Sequence, residues 1–296
     1  MTGAIRSAGP LLLIPLLTLA SPPEPSETGV PPAEPDTSGA EPDPWVLLQP
    51  DTAGVELIDP HTRALRRARE RMTAKDDAIR TGEKLIFSVR YGFIRAGEAS
   101  LEITGIEEVG GHPCYHVVSL AKSNSFFDRI FKVRDRVESW MDVDFLFSRR
   151  FHKRLREGGY RKDQRIEMDH RNLLATYQNG RVFEISPGAH DVLSAFYYVR
   201  TLDLEPGQQF DLDAHADRKN YPLRVIVHRR ESVDTPAGEF DCLVVEPVLR
   251  TPGLFKHQGD LTIWLTDDER RMPVLMKSKI AVGSISVTLT DWTRPE

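Results

Sequence analysis

The stretch Gly82-Glu83-Lys84-Leu85-Ile86-Phe87-Ser88-Val89-Arg90-Tyr91-Gly92-Phe93 decides the fold class. Leu85, Phe87, Val89, Tyr91 and Phe93 share one parity, and Lys84, Ser88 and Arg90 take the other. An extended chain points successive side chains to opposite faces, so this pattern predicts a strand with one buried face. After a break at Gly97 the pattern resumes with Ala99, Leu101 and Ile103. Gly110-Gly111 then supplies a hairpin turn, and Cys114 to Leu120 read as the returning strand. The same two-residue period recurs as far as Trp292.

One clear helix interrupts it, Asp191 to Leu202, with Asp191 as N-cap and Val192, Leu193, Phe196, Val199 and Leu202 as a broad apolar face. The expected fold is all-β and mainly antiparallel: a strongly curled sheet or open barrel with one apolar helix packed on its concave side. It forms a single domain over residues 82–293. A faint internal echo runs through it. Gly111 to Val118 resembles Gly238 to Val245, and Trp140 to Asp144 resembles Trp264 to Asp268, which suggests two similar four-strand units.

The chain in front of this domain has a different character. Arg6 is the only charge before the apolar stretch Leu11 to Ala20, and Thr18-Leu19-Ala20-Ser21 offers small residues around a cleavage point. A charged start, an apolar middle of roughly ten residues and a small-residue exit predict a signal peptide over residues 1–20, and hence a periplasmic address. Ser21 stands where a bacterial lipoprotein would need cysteine. Residues 21–58 read as a disordered tether: between Ser21 and Pro50 they carry nine prolines and six acidic residues with no Lys or Arg, a composition too polar to offset its ordering entropy. Over residues 59–80, Leu65, Ala68, Met72 and Ile79 recur at helical spacing among Arg63, Arg66, Arg67, Arg69, Arg71 and Lys75. This predicts a basic amphipathic helix, either a charged lead-in to the domain or a segment lying on anionic lipid.

The 296 residues are 40% hydrophobic and 28% charged with a net charge of −5, an ordinary soluble composition that argues against nucleic acid as a partner. No nucleophile elbow, P-loop, dinucleotide fingerprint, HExxH or CxxC motif is present, so the expectation is a non-enzymatic protein without a cofactor.

Four groups of residues carry the remaining chemistry. Arg150, His152, Arg154 and Arg156 alternate with Phe151, Lys153 and Leu155, which makes a cationic ladder on one strand face. Cross-strand pairing with Glu138, Asp142 and Asp144 is one reading of it; a rim for the phosphate or carboxylate of an amphiphile is the other. Asp211, Asp213 and His215, with Asp217, share a parity and offer oxygen and imidazole ligands for a metal, as His112, Cys114 and His116 do for zinc. Cys114 and Cys242 are either a bridge or two buried thiols.

Several segments together resemble an exported bacterial family known as domain of unknown function 3108. They are Val89-Arg90-Tyr91-Gly92 with Ala96-Gly97-Glu98-Ala99, Phe131 to Ser139, Asp191-Val192-Leu193-Ser194-Ala195-Phe196-Tyr197-Tyr198-Val199-Arg200, Ala237-Gly238-Glu239-Phe240, and Ile263 to Asp268 with Arg271-Met272-Pro273-Val274. The resemblance implies an envelope address and brings no established activity or catalytic residues. By a looser analogy, the expected fold is similar to periplasmic carriers of lipoproteins. The functional expectation is a binder or carrier of a lipid-like, peptide or glycan ligand. The alternatives are a scaffold for an envelope protein partner, or a metal-dependent hydrolase built on Asp211, Asp213 and His215.

Overall fold

The computed structural model describes residues 65–66, 69–72, 75–249, 261–279 and 283–295. The leader, the acidic tether and much of the basic 59–80 segment lie outside the described residues. What is described of that segment includes a short helix α1 (Lys75–Ala78).

The alternating segments become fourteen strands of one antiparallel sheet. They are β1 (Lys84–Tyr91), β2 (Ile94–Val109), β3 (His112–Ser123), β4 (Arg134–Asp142), β5 (Ser148–Glu157), β6 (Tyr160–Asp169), β7 (Leu174–Tyr177), β8 (Val182–Glu184), β9 (Gln209–Ala216), β10 (Lys219–Thr235), β11 (Gly238–Leu249), β12 (Leu261–Thr266), β13 (Pro273–Lys279) and β14 (Ser284–Thr293). Each strand pairs with its sequence neighbours, except that β1 pairs with β14 and β8 and β9 are left as the two edges. The helix α2 (Val192–Arg200) bridges those edges in sequence.

Closure follows from this order. The sheet curls until its edges meet, but the junction is a seam rather than a strand ladder. His190 donates to Asp213 O and accepts from the backbone N–H of His215, both at 2.8 Å. Asn220 Nδ2 donates to Glu184 O at 3.0 Å, and Tyr177 Oη meets His215 Nε2 at 3.0 Å.

In β1 the inward parity is as read, with Leu85, Phe87 and Val89 buried. The face ends at Tyr91, because Gly92 turns in the left-handed region and throws Phe93 into solvent, 97% exposed. Gly97 does not break the strand: β2 runs straight through it. A Cβ there would sit 2.1 Å from Lys122 O, so glycine is what lets β3 approach so closely. Gly110 and Gly111 both take positive φ, the requirement of a tight hairpin turn.

The echo has a register behind it. His116, two residues after Cys114, lies opposite Trp140, and Val244, two after Cys242, lies opposite Trp264. Each thiol donates to the carbonyl two residues before it.

Helix α2 is buried around almost its whole circumference, from Leu193 to Arg200, because it lies inside the curled sheet rather than on it. Asp191 accepts from the N–H groups of Leu193 (2.7 Å) and Ser194 (2.9 Å), and Ser194 Oγ accepts from Asp191 N at 2.9 Å. This reciprocal cap satisfies orphan donors that no water reaches. At the other end the enclosed Arg200 makes a two-pronged ion pair with Glu83, 2.7 and 2.9 Å, and its guanidinium lies 4.9 Å from the Tyr197 ring. Arg200 also donates to the carbonyls of Arg270 and Arg271 at 3.1 Å. One arginine thereby ties helix, β1 and the β12–β13 turn together.

Candidate functional site

In an antiparallel order every odd-to-even connection leaves from the same end of the sheet. The turns after β1, β3, β5, β7, β9 and β13 therefore surround one mouth. Between α2 and the β9–β12 wall lies a half-open cavity of about 80 Å³. Val192, Ala195, Phe196 and Val199 line it from the helix, and Leu223, Val225, Ile263 and Leu265 from the sheet. Tyr221 and Ala216 mark its mouth-end side, close to the β9–β10 turn. The Tyr221 hydroxyl has no protein partner.

The opposite wall is polar. On β5 the inward parity holds Phe151, Lys153, Leu155 and Glu157, so two ionisable groups sit where the pattern calls for apolar ones. Lys153 is 3% exposed, and its Nζ lies 3.8 Å from Asp217 Oδ1. Lys162 reaches the same oxygen at 2.7 Å. Burial pulls the Lys153 amine down to about 8 against the opposing pull of Asp217. Glu157 shares a hydrogen bond with Asp135; burial, with that neighbouring carboxyl, pushes Glu157 up to about 8, and burial raises Asp135 as well. Glu157 Oε2, Gln164 Oε1 and Asp217 Oδ2 are buried without a partner. With one proton shared between Glu157 and Asp135, that pair and Asp217 balance Lys153 and Lys162, so this wall is charged but not of one sign.

Lys153, Glu157 and Asp135 are the site residues that sequence reasoning missed. The available signal was a charged side chain at the apolar parity of β5.

The predicted ladder lies on the outside. Phe151 and Leu155 face the core, so Arg150, His152, Arg154 and Arg156 point away from the cavity. Arg150 pairs with Glu167 at 2.7 Å and lies 5.4 Å from the Trp140 ring, and His152 meets Asp163 at 2.9 Å. Arg154 and Arg136 both grip Glu138, at 2.9 and 2.7 Å. Burial works to raise that carboxyl, but the Arg136 and Arg154 guanidinium groups hold it down to about 2. The Arg156 side chain is exposed, and its backbone N–H donates to Asp135 at 2.8 Å. Cross-strand pairing with Glu138 is the arrangement observed, with Asp163 and Glu167 of β6 as further partners. Asp142 instead holds the buried Arg149 at 2.7 Å. Arg150 alone of the ladder borders a polar outer crevice of about 510 Å³, shared with Arg149, Glu167, Asp169 and Arg171.

Asp211, Asp213 and His215 do not converge. Arg224 takes both oxygens of Asp211, at 2.7 and 2.8 Å. Burial raises the Asp213 carboxyl, with Ser186 as its hydrogen-bond partner. His215 is buried in the seam between Tyr177 and Asn220. Asp217 leaves their face altogether, since it turns through φ 44° at the end of β9 and points to Lys162. Among the described residues no group of three or more His, Cys, Asp or Glu side chains is placed to hold a metal ion.

Cys114 and Cys242 are two free buried thiols in β3 and β11, with five strands between them in the sheet order, so the bridge alternative is not the one found. Burial pushes each up to about 12, which leaves them unreactive. His190, Asp191 and Ser194 meet through hydrogen bonds, but all three are enclosed and serve the helix cap.

These features define a helix-plugged, half-open antiparallel barrel with an apolar cavity and a charged mouth. The chain belongs to the family of proteins of unknown function DUF3108, whose model matches residues 86–290. Among solved structures it is similar to a β-barrel-like protein of domain of unknown function DUF1849 from Brucella abortus, at 8% identity and TM-score 0.47, with 72% of this chain and 97% of that one covered. It is also similar to the hypothetical protein CT021 from Chlamydia trachomatis, at 7% identity and TM-score 0.32, covering 75% and 91%. A comparison with curated proteins gives no match.

Proposed function

We propose that this chain is an exported, non-catalytic binder of an anionic amphiphile, working in the periplasm. The observation that carries the reading is the cavity itself, apolar between α2 and the β9–β12 wall, with the Lys153 and Lys162 ammonium groups gathered on Asp217 at the β9–β10 turn beside its mouth-end side. Apolar lining with a few convergent polar groups is the usual form of a small-molecule site. A volume of about 80 Å³ takes the end of an acyl chain, so the ligand's polar head and remaining chain occupy the mouth. The predicted leader supports the address.

The test is native mass spectrometry of the full chain purified from envelope, followed by displacement of a fluorescent fatty acid. Co-purified lipid is expected; a bound partner chain or metal in its place favours the scaffold or the hydrolase. Ala195→Trp, which fills the cavity, should abolish capture of the fatty acid. Lys153→Gln should weaken the fatty acid while sparing a neutral alcohol of the same chain length. Capture unchanged in both variants, with melting temperature preserved, overturns the reading.

A further inference from the structure

The mouth end carries exposed side chains that the cavity does not use. Phe93 is 97% exposed, Ile130 69%, Phe126 59% and Ile94 55%, and Tyr160 and Val182 at the same end are exposed too. Among the described residues only Ile106 and Leu120 are large, apolar and exposed elsewhere.

These tips are held out by structure. The β3–β4 loop is pinned to the β1–β2 hairpin, since Asn124 donates through Nδ2 to Arg95 O at 2.7 Å and through its backbone N–H to Ala96 O at 2.9 Å. Within the loop Asn124 Oδ1 accepts from Phe127 N at 3.0 Å, and Asp128 is taken by Arg134 at 2.7 Å. Phe126 and Phe127 pack edge to face with centroids 5.5 Å apart. Exposing apolar side chains on a braced loop gains nothing for folding, and such groups at one end of a molecule mark a contact surface.

The charges beside them identify the contact. Arg95, Arg129 and Lys132 are exposed, and no described carboxylate lies within ion-pair distance of them; the loop's one acid, Asp128, is already paired with Arg134. Apolar tips flanked by exposed cations suit a bilayer interface, where aromatic and aliphatic groups enter the acyl boundary and Arg or Lys meet phosphate.

We propose that the mouth end docks on an anionic lipid surface through Phe93, Ile94, Phe126 and Ile130, with Arg95, Arg129 and Lys132 on lipid phosphate. The docking does not depend on the cavity holding a ligand.

The test is co-sedimentation of the full chain with vesicles of equimolar phosphatidylglycerol and phosphatidylcholine, and with phosphatidylcholine alone. Binding should favour the anionic vesicles at least about tenfold and weaken with salt. Arg95→Gln, Arg129→Gln and Lys132→Gln should each cost about fivefold, or about 100-fold together. Phe93→Ser with Phe126→Ser should cost more than about tenfold. All these positions are exposed, so melting temperatures should not move. Phe126→Trp should show a blue shift on anionic vesicles, which separates tip insertion from binding by the basic 59–80 segment. Ala195→Trp should bind vesicles like the wild type, which separates docking from cavity capture. The proposal fails if the wild-type chain ignores anionic vesicles, if the tip and cation variants bind them normally, or if Phe126 cross-links to a protein while vesicle binding is insensitive to the rim.

Discussion

Replacing Glu157 with glutamine should flatten the dependence of stability on pH between about pH 5 and pH 8. The wild-type carboxyl, 2% exposed and beside Asp135, is raised from 4.5 to about 8 by burial and by its neighbour. Below about 4.5 it holds its proton in both states. Between that value and about 8 the unfolded chain ionises while the folded one keeps the proton, so the stability this group contributes is lost as pH rises through that window. At about 1.4 kcal/mol per pH unit the full displacement is worth at most about 5 kcal/mol. Sharing of the proton with Asp135 and relaxation of the site reduce this to about 2–4 kcal/mol over the accessible range. Lys153, lowered to about 8, is charged in both states below that value, so its own pH-dependent term, a gain in stability, falls at higher pH. The assay is urea unfolding at several pH values in the window, for wild type and Glu157→Gln, at constant ionic strength. Parallel profiles within about 0.5 kcal/mol would mean that Glu157 ionises normally in the folded protein, and the account of a neutral carboxyl at the mouth would be wrong.

Three further outcomes are expected. Glu83→Gln should destabilise by about 3–5 kcal/mol, because it leaves the enclosed Arg200 without its counter-charge; Glu83→Gln combined with Arg200→Met should recover part of that loss in the same unfolding assay. Gly97→Ala should cost several kcal/mol, about 2 or more, since the added methyl meets Lys122 O, whereas an alanine at Gly105, where nothing lies within 4 Å, should fold normally in thermal melts. Thiol titration should count two groups in denaturant with or without reductant and almost none in the native protein, because both cysteines are buried and unbonded.

Period two and the cap at Asp191 were enough to read an antiparallel sheet, an enclosed helix and most of the inward residues, because those patterns are local: alternation follows from the pleat and capping from the first turn. The same local reading placed Arg150, His152, Arg154 and Arg156 correctly on a single face. It did not tell which face, and the rim role assigned to them turned on that choice. Only closure of the sheet decides it: Phe151 and Leu155 turn to the core, and Lys153 and Glu157 go inward with them because parity leaves no alternative. Once inside, these two shift towards each other in pKa because the curled sheet excludes water and brings Asp135 beside Glu157, while Asp217 resists the shift of Lys153. Asp217 arrives there from a residue numbered some sixty positions later, across a seam between two strands that share no ladder. Strand pattern in the sequence therefore determined which side chains travel together, and the tertiary curl alone determined what they meet, since burial and charge proximity are properties of the closed sheet and of no single strand.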